Sequence, residues 1–283
     1  GKGIDALYIK VFIDEYLPHA IDMEELALDN RSVEEKLASL RFYSSNYGSI
    51  TNAGLLLFGK DVESNIPGAY IQYVKFSGHN EATEILNEKK FSGNLVEILQ
   101  ELDTFIEYVI LQQKPVAVSV LKENKQLNYP QWALRELLMN AIMHRDYESN
   151  APVKFYQYSD RIEIINPGGL YGNARPENFP NVNDYRNPVI AEAMKILGYV
   201  NRFNRGIARV KAELEENGNP APEFDYERMG VFGVTVYSTF QENDAEEINR
   251  EKSNKTGKET REKTREKTRE KILRLITEDP EIT

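Results

Sequence analysis

The chain has 283 residues, 35 Lys+Arg against 45 Asp+Glu for a formal charge of −10, 41% hydrophobic residues and no cysteine. That apolar share suffices for a packed core and the length predicts about two domains, while the missing thiols exclude disulfide scaffolds, iron–sulfur centres, thiolate zinc sites and cysteine nucleophiles. The acidic balance argues against a broad basic nucleic-acid surface and leaves room for a local patch, and Lys2, Asp5, Lys10 and Asp14 interrupt the first apolar residues, so no signal peptide is read there. No apolar run approaches the ~18 residues of a membrane helix. The expectation is a soluble, cytoplasmic protein, and the start at Gly1 rather than Met reads as a fragment.

Residues 1–125 are expected to form an α+β linking region. Ser32 followed by Glu35 is a capping-box pattern that opens a helix towards Leu37 and Leu40. Ala53 to Phe58 is a short buried segment, Tyr70 to Phe76 alternates like a strand, and a helix from Leu95 to about Leu111 carries an apolar stripe through Ile98, Leu99, Leu102, Phe105 and Ile106. Residues 126–240 read as a second unit: helix Trp132 to His144, strand Val153 to Tyr158, a turn at Ser159–Arg161, strand Ile162 to Ile165, helices Pro188 to Leu197 and Gly206 to Glu215, and strand Val231 to Tyr237. Helices and adjacent strands in that order predict an α+β layered domain.

After Gln241 the composition changes. Between Glu242 and Lys271 there are nine acidic and ten basic residues and three tandem Thr-Arg-Glu-Lys repeats beginning at Thr260, Thr264 and Thr268. A period of four places like charges at i,i+4, which disfavours an isolated helix, so 241–271 is expected to be a charged tether. The net acidity therefore belongs to the body. Ile272, Leu275 and Ile276 then form an amphipathic stripe ended by Pro280, similar to the first helix of a winged helix-turn-helix domain; residues 272–283 are expected to be its truncated start.

Two motifs are decoys. Gly54-Leu-Leu-Leu-Phe-Gly-Lys60-Asp61 approximates a P-loop, but Asp61 replaces the Mg²⁺-binding hydroxyl and the interior is apolar, so the segment is core and gives no support to a helicase motor. His144-Arg-Asp146 matches three residues of a kinase catalytic loop without its D-F-G partner. The histidines at 19, 79 and 144 lack zinc-ligand spacing, and no G-x-S-x-G occurs.

The informative stretch is Ala133 to Tyr147. Glu136, Asn140 and His144 stand four apart on one helical face, with Leu134, Leu137, Leu138 and Ala141 on the apolar side. An amide oxygen and a carboxylate one turn apart suit a phosphate-bound Mg²⁺ and a water-orienting base. The plain alternative is a polar face turned to solvent.

Glu136-Leu-Leu-Met-Asn140-Ala resembles the N box, E-x-x-x-N-A, of the GHKL superfamily of ATP-binding domains. Arg161-Ile-Glu-Ile-Ile-Asn-Pro-Gly-Gly-Leu170 resembles its first glycine box, and Asn204-Arg-Gly206-Ile-Ala-Arg209 its second, at a helix start suited to phosphate. His144-Arg-Asp-Tyr147, Arg186-Asn-Pro188 and Thr51 to Gly59 are similar to bacterial and archaeal proteins labelled transcriptional regulators or RecG-related ATP-dependent DNA helicases. The resemblance, over Ser32 to Tyr237, implies a GHKL-like α/β sandwich, ordinarily flanked by a Schlafen/AlbA-type domain and a C-terminal winged helix. It implies ATP and Mg²⁺ as ligands, Glu136 as catalytic carboxylate, Asn140 as metal ligand, and His144, Asn166, Gly168, Gly169, Arg205 and Gly206 as further nucleotide contacts. It also implies DNA as a partner of the winged helix, and a homo-oligomer as a second association. The chain departs from the pattern in two places: Asn166 stands where the superfamily has an adenine-reading Asp, and Asn173 to Asn187 holds no glycine-rich lid. Three readings follow: a nucleotide-binding transcriptional regulator, a degenerate fold kept as an oligomerisation or interaction module, and a low-turnover ATP hydrolase. For Asn166-Pro-Gly-Gly169 itself a tight turn after a strand is the plain alternative.

Overall fold

In the computed structural model, which describes residues 1–182, 184–200 and 206–240, short helical turns open the chain: α1 (Ile9–Val11), a π-type turn at Phe12–Tyr16, α2 (Leu17–Ala20) and α3 (Met23–Leu28). The capping box is formed at α4 (Val33–Ser39), where the Glu35 N–H donates to Ser32 Oγ at 3.2 Å and the Ser32 N–H donates to Glu35 Oε2 at 2.7 Å. A two-stranded hairpin, β1 (Tyr43–Ser44) and β2 (Ser49–Ile50), leads to α5 (Asn52–Phe58), capped by Thr51 and buried from Gly54 through Phe58. The near P-loop is thus a packed helix: a Cβ at Gly54 would collide with the Phe42 carbonyl oxygen.

Strands β3 (Ile71–Phe76) and β4 (Ile85–Phe91) precede α6 (Leu95–Phe105), whose stripe buries Leu95, Ile98, Leu99, Leu102 and Phe105. The α-helix ends at Phe105 and passes into a π-type turn, Ile106–Ile110, so the predicted helix is one segment with two hydrogen-bond patterns. A separate hairpin, β5 (Gln113–Ser119) and β6 (Lys122–Leu127), comes before α7 (Gln131–His144). The remaining elements are β7 (Val153–Gln157), β8 (Arg161–Pro167), α8 (Pro188–Ile196), α9 (Gly206–Asn217), β9 (Glu223–Asp225) and β10 (Val231–Tyr237).

Six strands form one sheet in the order β4-β3-β7-β8-β10-β9. Only β3 and β7 pair in parallel, joining the strands on either side of residue 125 without interrupting the sheet. Alternate side chains sort to two faces. Ile71, Tyr73, Phe155, Ile164 and Val234 join the helical core, whereas Val74, Phe76, Tyr156 and Tyr158 form a second, smaller cluster. The fold is an α+β sandwich in which helices pack against a mixed sheet, and Gly1–Thr239 make one compact unit. The expected tether and winged-helix start, 241–283, lie outside the described residues. Among the described residues no helix is long and apolar enough to cross a membrane.

Candidate functional site

Helix α7 is apolar around most of its circumference. Ala133, Leu134, Leu137, Leu138, Met139 and Ile142 are all buried, and Glu136 is buried with them at 9% exposure. The polar row therefore does not face open solvent. Glu136, Asn140 and His144 look into a cavity of about 430 Å³, closed by the end of β8, the start of α9 and the loop from Leu170 to Tyr185. A volume of that size, mainly apolar and with a few converging polar groups, is typical of small-molecule sites.

Each polar member is held by a different device. Asn140 Nδ2 donates to Glu136 Oε1 at 3.4 Å, which leaves the Asn140 oxygen for another partner. Burial pushes the Glu136 carboxyl above the usual carboxylate range, opposed by that hydrogen bond and by the charges of Arg135 and Arg209. Gly206, first residue of α9, is pressed against this carboxylate: a Cβ there would overlap Glu136 Oε1, so a larger residue would have to push the carboxylate out of its present position. His144 stacks on Tyr185, with ring centroids 5.5 Å apart and planes at 14°. Burial, aided by the charge of Arg186, brings the imidazole down to about 4, so it is neutral at physiological pH.

The β8 end supplies the opposite wall. Ile164 and Asn166 point to the same side, and Asn166 sits directly across the ladder from Phe232. Asn166 is 3% exposed and its Oδ1 has no hydrogen-bond partner. The two glycines that follow differ in kind. Gly168 has φ +101°, and its N–H donates to the Gly230 carbonyl at 2.8 Å; a Cβ would also come within 2.9 Å of Asp146 Cβ. At Gly169 a Cβ would meet nothing closer than 3.9 Å, so that position leaves open backbone beside the cavity.

Part of the motif after α7 is structural. Arg145 is 2% exposed; its Nη2 donates to the carbonyls of Gly68, Ser149 and Ala151, and its Nη1 to that of Asp146. The Tyr147 hydroxyl donates to Ile142 O, and Asn187 Nδ2 donates to Met143 O and Arg145 O, satisfying carbonyls at the end of α7. Arg145, Tyr147 and Asn187 brace the helix terminus rather than line the cavity.

Of the site residues expected from sequence, Glu136, Asn140, His144, Asn166, Gly168, Gly169 and Gly206 are brought together around one cavity, and Arg205 lies outside the described residues. Trp132 and Arg209 complete its mouth: the Arg209 guanidinium lies 3.9 Å from the Trp132 ring centroid and its Nε donates to Glu213 at 3.1 Å. Trp132 continues the i,i+4 row one turn before Glu136, and Arg209 is three residues after Gly206, so spacing alone points to both. Tyr171, Phe179, Asp184 and Tyr185 also face the cavity but come from a loop without periodicity. Phe179 anchors that loop among Phe224, Tyr226 and Phe232 at 5.3 to 5.5 Å.

Among the described residues there is no group of three or more His, Cys, Asp or Glu side chains suited to a metal ion. A hard cation at this site would rest on the Asn140 oxygen together with oxygens of its own ligand, the arrangement usual for Mg²⁺ bound with phosphates. The close approach of Gly206 to Glu136 and the available Asn140 oxygen are compatible with a nucleotide and Mg²⁺.

Residues 150–236 match the family described as "Putative ATP-dependent DNA helicase recG C-terminal". The match runs through β7 to β10 and begins after α7. Among solved structures, the DIP2311 protein from Corynebacterium diphtheriae superposes with a TM-score of 0.65 at 20% identity, over 84% of this chain and 46% of its own. At that identity the likeness shows the fold alone, and the chain spans under half of that structure's length. No curated protein matches the sequence. Residues 150–236 thus match a RecG-related, ATPase-like family, which is consistent with a core of GHKL type.

Proposed function

We propose that the cavity binds ATP with Mg²⁺ and that the chain is a nucleotide-responsive transcriptional regulator. The observation that carries this reading is the buried Glu136–Asn140 pair pressed against the glycine start of α9. Asn140, its nitrogen already donating to Glu136, offers its oxygen to a phosphate-bound cation. The first turn of α9 presents backbone N–H groups suited to phosphate oxygens, with Arg209 at the same mouth. In this reading Glu136, whose carboxyl is raised by burial, orients and deprotonates a water. Bound Mg²⁺ supplies charge neutralisation on the phosphates. Neutral His144, stacked on Tyr185, forms a flat wall of the site. DNA binding belongs in this reading to the winged helix expected from Ile272 onward, and strand unwinding is no part of it.

Melting temperature followed while ATP and Mg²⁺ are titrated tests the reading. A ligand at 100-fold its dissociation constant adds about 2.7 kcal/mol. We expect a clear upward shift for wild type and a much smaller one for Asn140→Ala; no shift in wild type, or equal shifts in both, rejects nucleotide binding. If the site also turns over, Glu136→Ala binds ATP but releases no phosphate.

A second reading, an interaction module without nucleotide, is favoured by one observation. The Leu170–Tyr185 loop is packed in place through Phe179 and Tyr185, where a nucleotide-dependent lid would swing. It predicts no ATP-dependent change in melting.

A further inference from the structure

We propose that the β5–β6 hairpin is a self-association arm: two copies of this chain pair β6 against β6 across a two-fold axis at Asn124, joining the hairpins into one four-stranded antiparallel sheet. The inference is independent of what the α7 cavity binds.

The hairpin is held at its root and bare at its tip. Gln126 Nε2 donates to Asn217 O at 2.9 Å and Asn217 Nδ2 donates to Leu127 O at 2.8 Å, which ties the root to the end of α9. From Pro115 to Lys125 every residue is exposed, with Leu121 at 96% and Val120 at 100%. A two-stranded hairpin of that kind is marginal in water and gains stability by acquiring further strands. Its two outer edges differ. Proline is tolerated in a paired strand where its nitrogen faces the unpaired side, so Pro115 interrupts the outer edge of β5, whereas every residue of β6 carries an N–H. The edge open to another strand is therefore β6.

Charge fixes the register. In a symmetric antiparallel pair, a residue a given number of places before the axis stands opposite the residue the same number of places after it. With the axis on Asn124, Glu123 of each copy faces Lys125 of the other, giving two opposite-charge pairs; an axis on Glu123 or on Lys125 sets like charges directly opposite. Within its own hairpin Glu123 stands across from Ala117 and Lys125 across from Pro115, so neither charge is answered by β5. The same register brings the bare Leu121 opposite Leu127 of the second copy, and Leu127 lines a surface pocket of about 570 Å³ with Pro130 and Trp132. Lys122 arrives beside Gln126 of the second copy, at the end of α9, whose last turn has no basic residue of its own. One register thus answers the crossed charges, the apolar tip and the helix terminus together, which is the mark of a second copy as occupant. Trp132 lines both that pocket and the α7 cavity, so the arm of one copy would rest beside the cavity of the other.

The test is sedimentation velocity of the whole chain from about 1 to about 100 μM. Wild type should approach twice the 32.5 kDa of one chain at the upper end. Glu123→Lys and Lys125→Glu each set like charges opposite one another twice and should weaken the dimer by about tenfold or more. Mixing these two variants should restore association, because every opposed pair then has opposite signs. Leu121→Asp should weaken the dimer as well. All three positions are exposed, and circular dichroism should show the wild-type fold in each variant. A wild-type chain that stays monomeric throughout overturns the proposal. A dimer untouched by Glu123→Lys and Leu121→Asp forms through another surface and overturns it equally. Failure of the mixed variants to associate, when each alone is monomeric, overturns the Asn124 register.

Discussion

Phe12, Tyr16, Phe42 and Phe58 meet with ring centroids 5.2 to 6.3 Å apart, five of the six contacts edge to face, and every ring is almost fully buried. Around Glu136 and Asn166 burial is nearly as deep, but the side chains are polar, one oxygen has no donor and a cavity stands open beside them. The ring cluster is what stability alone selects: large apolar area, complementary ring geometry and no unsatisfied group. The cavity region keeps a buried carboxyl and an unfilled amide, each of which lowers stability in the absence of a ligand. The contrast separates a region that holds the fold from one that keeps buried polar groups beside a cavity.

The largest test of that contrast is Phe58→Ala. Removing a ring fully buried against three others should cost about 3–5 kcal/mol in urea unfolding. Ligand affinity at the α7 cavity, measured under folded conditions, should stay unchanged. A cost below about 1 kcal/mol would show that the cluster collapses without loss and carries little of the fold.

Arg145→Met comes next, because it asks whether a motif residue beside the site belongs to it. The change leaves the carbonyls of Gly68, Asp146, Ser149 and Ala151 without their charged donor, and should destabilise by about 3 kcal/mol. Since Arg145 points away from the cavity, binding by the fraction that remains folded should be retained. Selective loss of binding with stability intact would move Arg145 to the other side of the comparison.

Spacing picks out the row of α7, and the family resemblance its partners at Asn166, Gly168 and Gly206, but spacing does not tell what the row faces. Periodicity reports which residues share a side; whether that side meets water or a cavity depends on the loop and on α9, which approach from elsewhere in the chain. The same limit applies to Phe179 and Tyr185, whose place is set by packing on Phe232 and His144 rather than by a local pattern. Strand β4 escaped notice because its side chains are mostly exposed at a sheet edge, and the β5–β6 hairpin because it is nearly all exposed, so neither shows the apolar alternation of a half-buried strand. Elements that bury a face, such as α4, α6 and β10, were legible for the converse reason.

His144 offers a smaller test through pH. Its folded value of about 4 lies below the ordinary 6.5, so on acidification the unfolded chain takes up a proton that the folded chain refuses. Stability from this residue is complete above about pH 6.5 and falls by about 1.4 kcal/mol per pH unit until about pH 4. Urea unfolding at pH 6 and pH 5 should show this loss in wild type and a shallower dependence in His144→Gln. Equal slopes would mean that the imidazole is hydrated and that the stack on Tyr185 does not seal it.

The smallest expected effect bears most directly on the contrast, because it asks one side chain to answer for both stability and function. Burial raises the Glu136 carboxyl, so the folded state prefers its protonated form; the stability tied to that preference is present below the ordinary carboxylate range and is lost as pH rises through the raised folded value. At neutral pH the ionised group is therefore a net cost to the empty protein. In Glu136→Gln the side chain keeps its shape and an oxygen that accepts from Asn140 Nδ2, while the buried charge is gone. The variant should melt slightly higher than wild type at pH 7, the difference shrinking as pH falls into the carboxylate range. Any phosphate release by wild type should vanish in the same protein. A variant less stable than wild type at pH 7 would mean that attraction from Arg135 and Arg209 outweighs the burial cost, making Glu136 a structural ion rather than a group held against the interest of the fold.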